Sequence, residues 1–226
     1  MDKWENYFAD EGDIARIPQG EVYEFIADLE KHFSERPLRI WDLCCGAGRH
    51  TVALARIGHE VYASDGSAEA IDLTRQWVEK AGLAATTSKA EMTTCPFKDI
   101  SFHGVVSWDS LHHNTIDNIK KTVEEVRRHM TPNGLFIANV MSMSSLAGHH
   151  GTGREIEPHT FVNDDGHEAG IPHHFFDEDR LRNLLEAWEI VVMAEQVVSY
   201  KETSKDTPRI NPFSYSFWGF VVRRPA

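Results

Sequence analysis

The sequence predicts an α/β fold in which helices alternate with the strands of a mostly parallel sheet. Two observations carry this prediction. Short apolar runs such as LRIWDL, at residues 38–43, are each followed by a stretch of helical periodicity, and the alternation recurs along most of the 226 residues. Gly58 and Gly82 end two of the helical stretches, as C-cap glycines do. Strands that alternate with helices form right-handed βαβ units and therefore a parallel sheet.

The predicted elements follow one another in a regular order. Residues 1–36 form an N-terminal helical cap, because Val22, Phe25, Ile26 and Leu29 share one helical stripe. The predicted strands are LRIWDL (38–43), HEVYASD (59–65), a weak strand near 84–88, FHGVVSWDS (102–110) and LFIANVMS (135–142). Helices are expected between them at 49–57, 67–82 and 115–134, the second with Ser67 as its N-cap.

The regular alternation stops after Ser142. Residues 143–176 are rich in glycine, histidine and polar groups, and a stretch of this length without periodicity is usually functional. We expect it to be an irregular insertion that covers a substrate pocket. Beyond it, residues 177–188 predict a helix, and residues 189–200 and 214–224 predict two strands. No crossover helix separates these two strands, so they are expected to pair antiparallel at the edge of the sheet. The chain is predicted to be one domain over residues 1–226.

Composition argues against several classes of partner. The formal net charge of −12 opposes binding to a phosphate backbone, which needs a basic surface. No apolar stretch approaches the length of a membrane span, and the polar N-terminus lacks the pattern of a secretory signal. Three cysteines do not suggest a disulfide framework. A cytoplasmic protein without nucleic-acid or membrane partners is therefore expected, and the sequence leaves its oligomeric state open.

A glycine turn lies between the first strand and the helix that follows it. Gly46 and Gly48 allow the backbone to approach a ligand closely, with the amides of the helix N-terminus facing it. A dinucleotide site would have a third glycine in the pattern G-x-G-x-x-G, but Thr51 stands there. The turn therefore fits a ligand without a pyrophosphate better.

Four motifs in this order resemble the class I S-adenosylmethionine-dependent methyltransferases. They are DLCCGAG (42–48), Asp65 at the end of the second strand, AEM (90–92) and SWDSLHH (107–113). The resemblance covers roughly residues 39–140 and implies a Rossmann-like, doubly wound α/β fold. It also implies S-adenosyl-L-methionine as methyl donor and S-adenosyl-L-homocysteine as product. Cys44 occupies the family's first glycine position, which suggests that its backbone does not need a glycine-only conformation.

The resemblance assigns most of the predicted cofactor contacts. Asp65 would accept hydrogen bonds from both ribose hydroxyls, Met92 would flank the adenine, and Glu91 would accept from its amino group or lie nearby. By analogy, the N-terminal Trp4, Tyr7 and Arg16 would fold over the reacting end, although they can equally be aromatic and basic groups of a packed helix. The cofactor-binding residues predicted in this way are Asp42, Cys45, Gly46, Ala47, Gly48, Asp65, Gly66, Ser67, Glu91, Met92, Trp108, Asp109, Tyr7 and Arg16, with Trp4 assigned to the substrate.

His112 and His113 follow the fourth strand, where substrates of this family meet the methyl group. A histidine there can accept a proton from the acceptor, since its pKa lies near neutrality. The alternative is a structural hydrogen-bonding role, and a thiolate acceptor would need no base at all.

The insertion carries several histidines and acids. Glu155, His173, His174 and Phe176 are expected to shape substrate choice. Imidazoles also bind zinc, copper or nickel, but the spacings match no known metal motif, so no metal site is expected.

Together these features predict S-adenosylmethionine-dependent methyl transfer to a small molecule. The alternatives are a protein or RNA methyltransferase, a non-catalytic S-adenosylmethionine-binding regulatory protein and, less consistent with Thr51, a nicotinamide oxidoreductase.

Overall fold

A mostly parallel sheet forms the centre of the molecule. The computed structural model describes Trp4, Glu5, Phe8 and residues 17–145, 153–165, 168–201 and 212–226. In this part of the chain the strands are β1 (Arg39–Leu43), β2 (Glu60–Asp65), β3 (Thr86–Lys89), β4 (Phe102–Ser107), β5 (Met130–Ser142), β6 (Arg154–Glu157), β7 (Thr160–Val162), β8 (Pro172–Phe176), β9 (Glu189–Lys201) and β10 (Pro212–Arg223). The helices are α1 (Gly20–His32), α2 (Arg49–Ile57), α3 (Ala68–Lys80), α4 (Ile116–Arg128) and α5 (Glu178–Leu184).

The first five strands are parallel and lie in the order β3-β2-β1-β4-β5. β10 then pairs antiparallel with β5, and β9 pairs antiparallel with β10. The predicted α/β class, the parallel sheet and the antiparallel C-terminal pair are therefore confirmed. In open sheets of this kind ligands bind outside the carboxyl ends of the strands. The ends of β1, β2 and β4 therefore mark the place to search for a site.

Helices cover both faces of the sheet. One apolar core lies between the sheet and α1, where Phe25 and Leu29 are fully enclosed, and a second contains Trp41, Phe102 and Phe136. α1 approaches β4 very closely at Gly104, since a Cβ there would lie 2.6 Å from Leu29 Cδ2. The apolar stripe that predicts α1 is therefore the face that is buried.

The insertion differs from the irregular cover that its composition predicts. After a single 3-10 turn, Met143–Ser145, its described residues form three strands, in which β7 pairs antiparallel with both β6 and β8. β8 also runs parallel to the last two residues of β5, beyond the point where β4 ends. The run TFV and the run PHHFF supply the β-branched and aromatic residues that suit strands. β6 and β7 form a short hairpin, whereas β8 pairs with the distant β5. The high glycine content of the insertion gave no sign of these strands in the sequence.

Two properties of the chain bear on its surroundings. None of the helices in the described residues has the length and apolar character needed to cross a membrane. Cys44, Cys45 and Cys95 are free thiols.

Candidate active site

A pocket of about 380 Å³ opens at the carboxyl ends of β1, β2 and β4. This volume falls within the range of small-molecule sites. Its walls combine the glycine turn, the segment after β4, the N-terminal residues and the final strand pair. The lining residues are Trp4, Phe8, Cys44, Cys45, Gly46, Ala47, Arg49, His50, Asp65, Met92, Trp108, Asp109, Ser110, His112, His113, Asn139, Met141, Glu168, Tyr215 and Phe217.

The turn after β1 has three residues with positive φ: Cys44 at 58°, Gly46 at 54° and Gly48 at 90°. Cys44 therefore lies in the left-handed region that glycine favours, which other residues adopt less often, so its conformation is unusual but not open to glycine alone. Burial, together with nearby carboxylates, raises the pKa of its thiol well above the usual value, so the thiol is protonated. Gly48 is required on steric grounds as well, since a Cβ there would lie 2.8 Å from Thr74 Oγ1 and 3.1 Å from Thr74 Cα on α3.

Asp42 supports the turn from below and does not line the pocket. Its carboxylate is 1 % exposed and accepts a 2.5 Å hydrogen bond from Thr51 Oγ1. Burial raises the pKa of this carboxyl to about 6, although the Thr51 hydrogen bond and Arg49 oppose the rise. Thr51, the residue in place of a third glycine, therefore joins α2 to β1.

Asp65 lies at the end of β2 and lines the pocket. Its Oδ2 accepts a 3.0 Å hydrogen bond from Gly46 N, and its Oδ1 accepts one of 2.9 Å from Ser67 N. Each carboxylate oxygen has further acceptor capacity, so Asp65 can orient the turn and still accept hydroxyl groups of a ligand. Ser67 itself is buried and caps α3 by accepting from Ala70 N.

The two residues of the third motif have different positions. Met92 lines the pocket. Glu91 is not among the lining residues and lies beside Gly66, where a Cβ would be 3.8 Å from its carboxylate oxygens. Four of the residues predicted to contact a cofactor do not line the pocket: Gly48, Gly66, Ser67 and Glu91. They lie next to lining residues and support the pocket.

The N-terminal segment, here Trp4, Glu5 and Phe8, covers one side of the pocket. Glu5 fixes it to the start of α3 by accepting hydrogen bonds from Ser67 Oγ (2.8 Å), Ala68 N (2.8 Å), Glu69 N (3.0 Å) and Lys89 Nζ (2.9 Å). These contacts, the backbone bond to Glu69 first, lower the pKa of the Glu5 carboxyl to about 2. The predicted residues Tyr7 and Arg16 lie outside the described residues.

A polar network closes the end of β4. Asp109 has a φ of 56°, its backbone N–H donates to Asn139 Oδ1 at 2.6 Å, and its Oδ1 accepts from Asn139 Nδ2 at 2.7 Å. Arg49 Nη2 donates to the other carboxylate oxygen at 2.7 Å. Beside this network the Trp108 ring meets Phe217 edge-on, with centroids 6.2 Å apart. Asp109 and Trp108 are therefore rigidly placed pocket residues.

His112 and His113 both line the pocket, with ring centroids 4.1 Å apart. The His113 ring also lies 5.1 Å from that of Trp4 and 4.7 Å from that of His173. The Nε2 atoms of His173 and His113 lie 2.8 Å and 3.7 Å from the carboxylate oxygens of Glu168. The structure thus brings the two proposed bases together with His173 of the insertion.

A buried histidine next to the turn also belongs to this pocket. His50 Nε2 accepts a 3.3 Å hydrogen bond from Gln19 N. Burial, reinforced by Arg49, lowers the pKa of His50 to about 3, so the ring is neutral. A neutral imidazole beside the turn adds no positive charge to the pocket.

The other insertion residues of the prediction lie away from the pocket. Phe176 is fully buried in the core around Trp41, and Glu155 is exposed and accepts from His159 N at 2.9 Å. His174 Nδ1 lies 2.7 Å from Thr160 Oγ1, and burial lowers the pKa of this histidine to about 4. Successive side chains of β8 point to opposite faces of the strand. This explains why His173 lies beside His113, whereas His174 faces Thr160.

Several lining residues were not among the site residues predicted from the sequence: Phe8, Cys44, Arg49, His50, Ser110, Asn139, Met141, Glu168, Tyr215 and Phe217. Asn139 did carry a signal, because it is the one amide in the otherwise apolar run LFIANVMS. Tyr215 and Phe217 are two residues apart on β10 and therefore point to the same face. They reach the pocket because β10 pairs with β5, and the spacing of residues in the sequence does not reveal this pairing.

Fold and site together define an α/β protein with a pocket at the carboxyl ends of its parallel strands. Residues 40–134 match the family model described as a methyltransferase domain. An uncharacterized methyltransferase from Synechocystis sp. is 29% identical over 116 residues, and the match spans 47% of this chain and only 53% of that relative's length. Residues 40–134, less than half of the chain, are therefore similar to a methyltransferase domain.

Solved structures agree in fold. A SAM-dependent methyltransferase from Methanosarcina mazei superposes with a TM-score of 0.70 at 20% identity, covering 92% of this chain and 99% of that one. TehB from Haemophilus influenzae superposes with a TM-score of 0.65 at 18% identity, covering 98% of this chain and 67% of that one. These likenesses extend the shared fold beyond residue 134, over the C-terminal strands.

Proposed function

We propose that this protein transfers a methyl group from S-adenosylmethionine to a small-molecule acceptor within one domain. The observation that carries the proposal is the convergence of Asp65, the turn with Gly46 and an aromatic-walled cavity in one pocket. Asp65 would accept the ribose hydroxyls, and the apolar side chain of Met92 would flank the adenine. The pocket end with Trp108 and His113 would then receive the acceptor.

The reaction needs little from the protein beyond placement. A lone pair of the acceptor attacks the methyl carbon, the carbon–sulfur bond of the sulfonium breaks, and its electron pair remains on sulfur as S-adenosylhomocysteine. Near-attack placement supplies much of the acceleration. A protonated acceptor must also lose its proton, for which His112 and His113 are the proposed bases, because both line the pocket.

The surroundings of the pocket favour a small acceptor. Trp4 and Phe8 of the N-terminal segment and Glu168 of the insertion contribute to its walls, so the pocket is partly covered. The net charge of −12 opposes a nucleic-acid substrate. A cytoplasmic location belongs to the same proposal, since three free cysteines fit a reducing compartment.

Calorimetric titration tests the cofactor. S-adenosylhomocysteine is expected to bind and NAD is not. Asp65→Asn is expected to weaken binding by about 1.5–3 kcal/mol for each charge-assisted hydrogen bond lost. Asp72→Asn is the matched control, because Asp72 is an exposed acid on α3 whose ion pair with Arg75 lies on the surface. Binding of NAD alone, or equal affinity in both variants, would reject the proposal.

A transfer screen tests the acceptor. Labelled S-adenosylmethionine is incubated with small thiols, amines, phenols and carboxylates, and separately with protein and RNA mixtures. Label in a small-molecule fraction supports the proposal. Label confined to protein or RNA contradicts the small acceptor, and cofactor binding without any transfer would instead indicate a regulatory protein.

A further inference from the structure

We propose that His113, Glu168 and His173 form a binding site for one divalent transition-metal ion, of which zinc is the type, inside the acceptor end of the pocket. Their ligating atoms, one from each residue, all lie within 4.8 Å of one another. The three residues come from the segment after β4, from the segment before β8 and from β8 itself. This separation along the chain explains why no metal motif is visible in the sequence.

The hydrogen bonds of His173 are the main argument. Its Nδ1 lies 3.1 Å from the Ile171 carbonyl oxygen, which can only accept, so Nδ1 carries the proton. Its Nε2 points at the Glu168 carboxylate 2.8 Å away, and the side chain is 1 % exposed. A metal ion held by both groups would lie beside this pair, because metal–ligand distances of about 2.0–2.2 Å set the two ligand atoms about 3 Å or more apart. A ring proton shared with Glu168 is the competing arrangement, and the experiments below separate the two.

A second buried histidine–glutamate pair in the same chain shows the contrast. His103 Nδ1 accepts a 2.9 Å hydrogen bond from Arg39 N, so its proton lies on Nε2, which donates to Glu35. That pair is complete with a neutral ring. The His173 pair has the reverse arrangement, with Nδ1–H on a backbone carbonyl and Nε2 toward the carboxylate. Metal-binding histidines usually place one ring N–H on a carbonyl or carboxylate in this way.

The surrounding backbone holds the three donors in place. His174 N donates to the His112 carbonyl at 2.9 Å, which ties β8 to the segment that carries His113. Ile171 N donates to the Glu168 carbonyl at 3.0 Å and closes a turn between Glu168 and β8. The His113 ring lies against Trp4 and His173. The 3.7 Å between His113 Nε2 and the Glu168 carboxylate already suits two ligands of one ion, whereas His173 Nε2 has to move slightly away from Glu168 to reach metal–ligand distances of about 2.0–2.2 Å.

The donor set indicates the metal class and a role. Two imidazoles and one carboxylate suit zinc and related transition metals, and three protein ligands leave positions open. Glu168 and His113 line the pocket, so the open positions face the acceptor. The inferred role of the metal rests on the proposed methyl transfer. The acceptor would carry an oxygen or sulfur atom that binds the metal, and the metal would favour the deprotonated, anionic form of that atom. Loss of one proton from the acceptor to solvent accompanies formation of the carbon–acceptor bond.

Metal binding is tested on the untagged protein without donor or acceptor. After chelator treatment, titration with zinc against a chromophoric competitor is expected to give one tight site per chain. Glu168→Gln and His173→Gln are expected to weaken it about 10–100-fold or more. Glu35→Gln is the matched control and is expected to bind as the native chain does, because the His103 pair is complete without a cation.

Cobalt provides a second readout and separates the alternatives. The absorption spectrum of the cobalt-loaded native chain is expected to show nitrogen and oxygen ligands, and Glu168→Gln is expected to lose this spectrum. A thiolate-to-cobalt charge-transfer band would instead assign the metal to a cysteine and overturn the proposed site. Equal zinc affinity in Glu168→Gln and Glu35→Gln also overturns the proposed site. So does the absence of zinc binding to the native chain, if ¹⁵N NMR shows that both ring nitrogens of His173 carry a proton. S-adenosylhomocysteine titration of the same samples reports on the proposed function separately, so each can fail without the other.

Discussion

At the scale of single residues, the turn after β1 shows that a residue can belong to a sequence motif without contacting the pocket. Asp42 and Asp65 are both motif acids, but only Asp65 lines the pocket, while Asp42 is enclosed and holds Thr51. Their separation follows from the strand, because Asp42 lies within β1 and Asp65 ends β2. The first acid is therefore structural support, and its buried position has a measurable electrostatic cost.

Asp42→Asn is expected to change how stability depends on pH. Burial raises the pKa of Asp42 from 3.8 to about 6, so the folded chain holds this proton more tightly than the unfolded chain does. Stability contributed by this group therefore falls as pH rises from about 4 to about 6, by roughly 2–3 kcal/mol. The asparagine variant should lack that fall, as measured by urea unfolding across this range. Asp72→Asn, on the exposed face of α3, should keep it; an unchanged pH slope in Asp42→Asn would contradict the expectation.

At the scale of elements, the N-terminal segment depends on one side chain. Glu5 accepts from two backbone amides at the start of α3, where the helix dipole favours a negative charge, and also from Ser67 and Lys89. Trp4 and Phe8 reach the pocket because Glu5 holds them there.

Glu5→Gln is expected to loosen this segment without unfolding the domain. We expect faster dissociation of S-adenosylhomocysteine, measured by stopped-flow tryptophan fluorescence, and a melting temperature close to that of the native chain. The pKa of about 2 means that the attachment is present above the ordinary glutamate pKa of 4.5 and is lost as pH falls through about 2. Glu69→Gln, in the same first turn of α3, should leave the dissociation rate unchanged. Equal rates in both variants would show that Glu5 does not control the cover.

The sequence predicted most elements because their signals are local. The strand–glycine–helix turn, the Ser67 cap and the apolar stripe of α1 each depend on neighbouring residues. The pairing of β8 with β5 and the lining residues of β10 depend on contacts between distant segments, which periodicity does not encode. The glycine turn and Asp65 could be placed at the pocket from local motifs, whereas Glu168 and Asn139 enter it through tertiary contacts.

At the scale of the whole molecule, α1 and the sheet form one packed body. The close approach at Gly104 places Leu29 and Phe25 directly on β4, so that the helix seals the face of the sheet opposite the core around Trp41. The approach exists only because residue 104 has no side chain.

Gly104→Ala is expected to destabilise the protein by about 1–3 kcal/mol, because the new Cβ would lie 2.6 Å from Leu29 Cδ2 and 3.4 Å from Phe25 Cζ. Urea unfolding measures the change. Gly20→Ala at the start of α1 is the control, since a Cβ there meets nothing within 4 Å, and it should be neutral or slightly stabilising. Equal stability of the two variants would mean that α1 shifts away from β4 at no cost.

The pairing of β8 with β5 limits how the molecule can open. β8, which carries His173, belongs to the same sheet as β1 and β2, so it cannot swing aside without breaking sheet hydrogen bonds. Among the described residues around the pocket, the N-terminal segment is instead fixed by side-chain contacts, above all those of Glu5. Opening of the pocket is therefore expected on that side, and release of the Glu5 carboxylate from the start of α3 is the event that would open it.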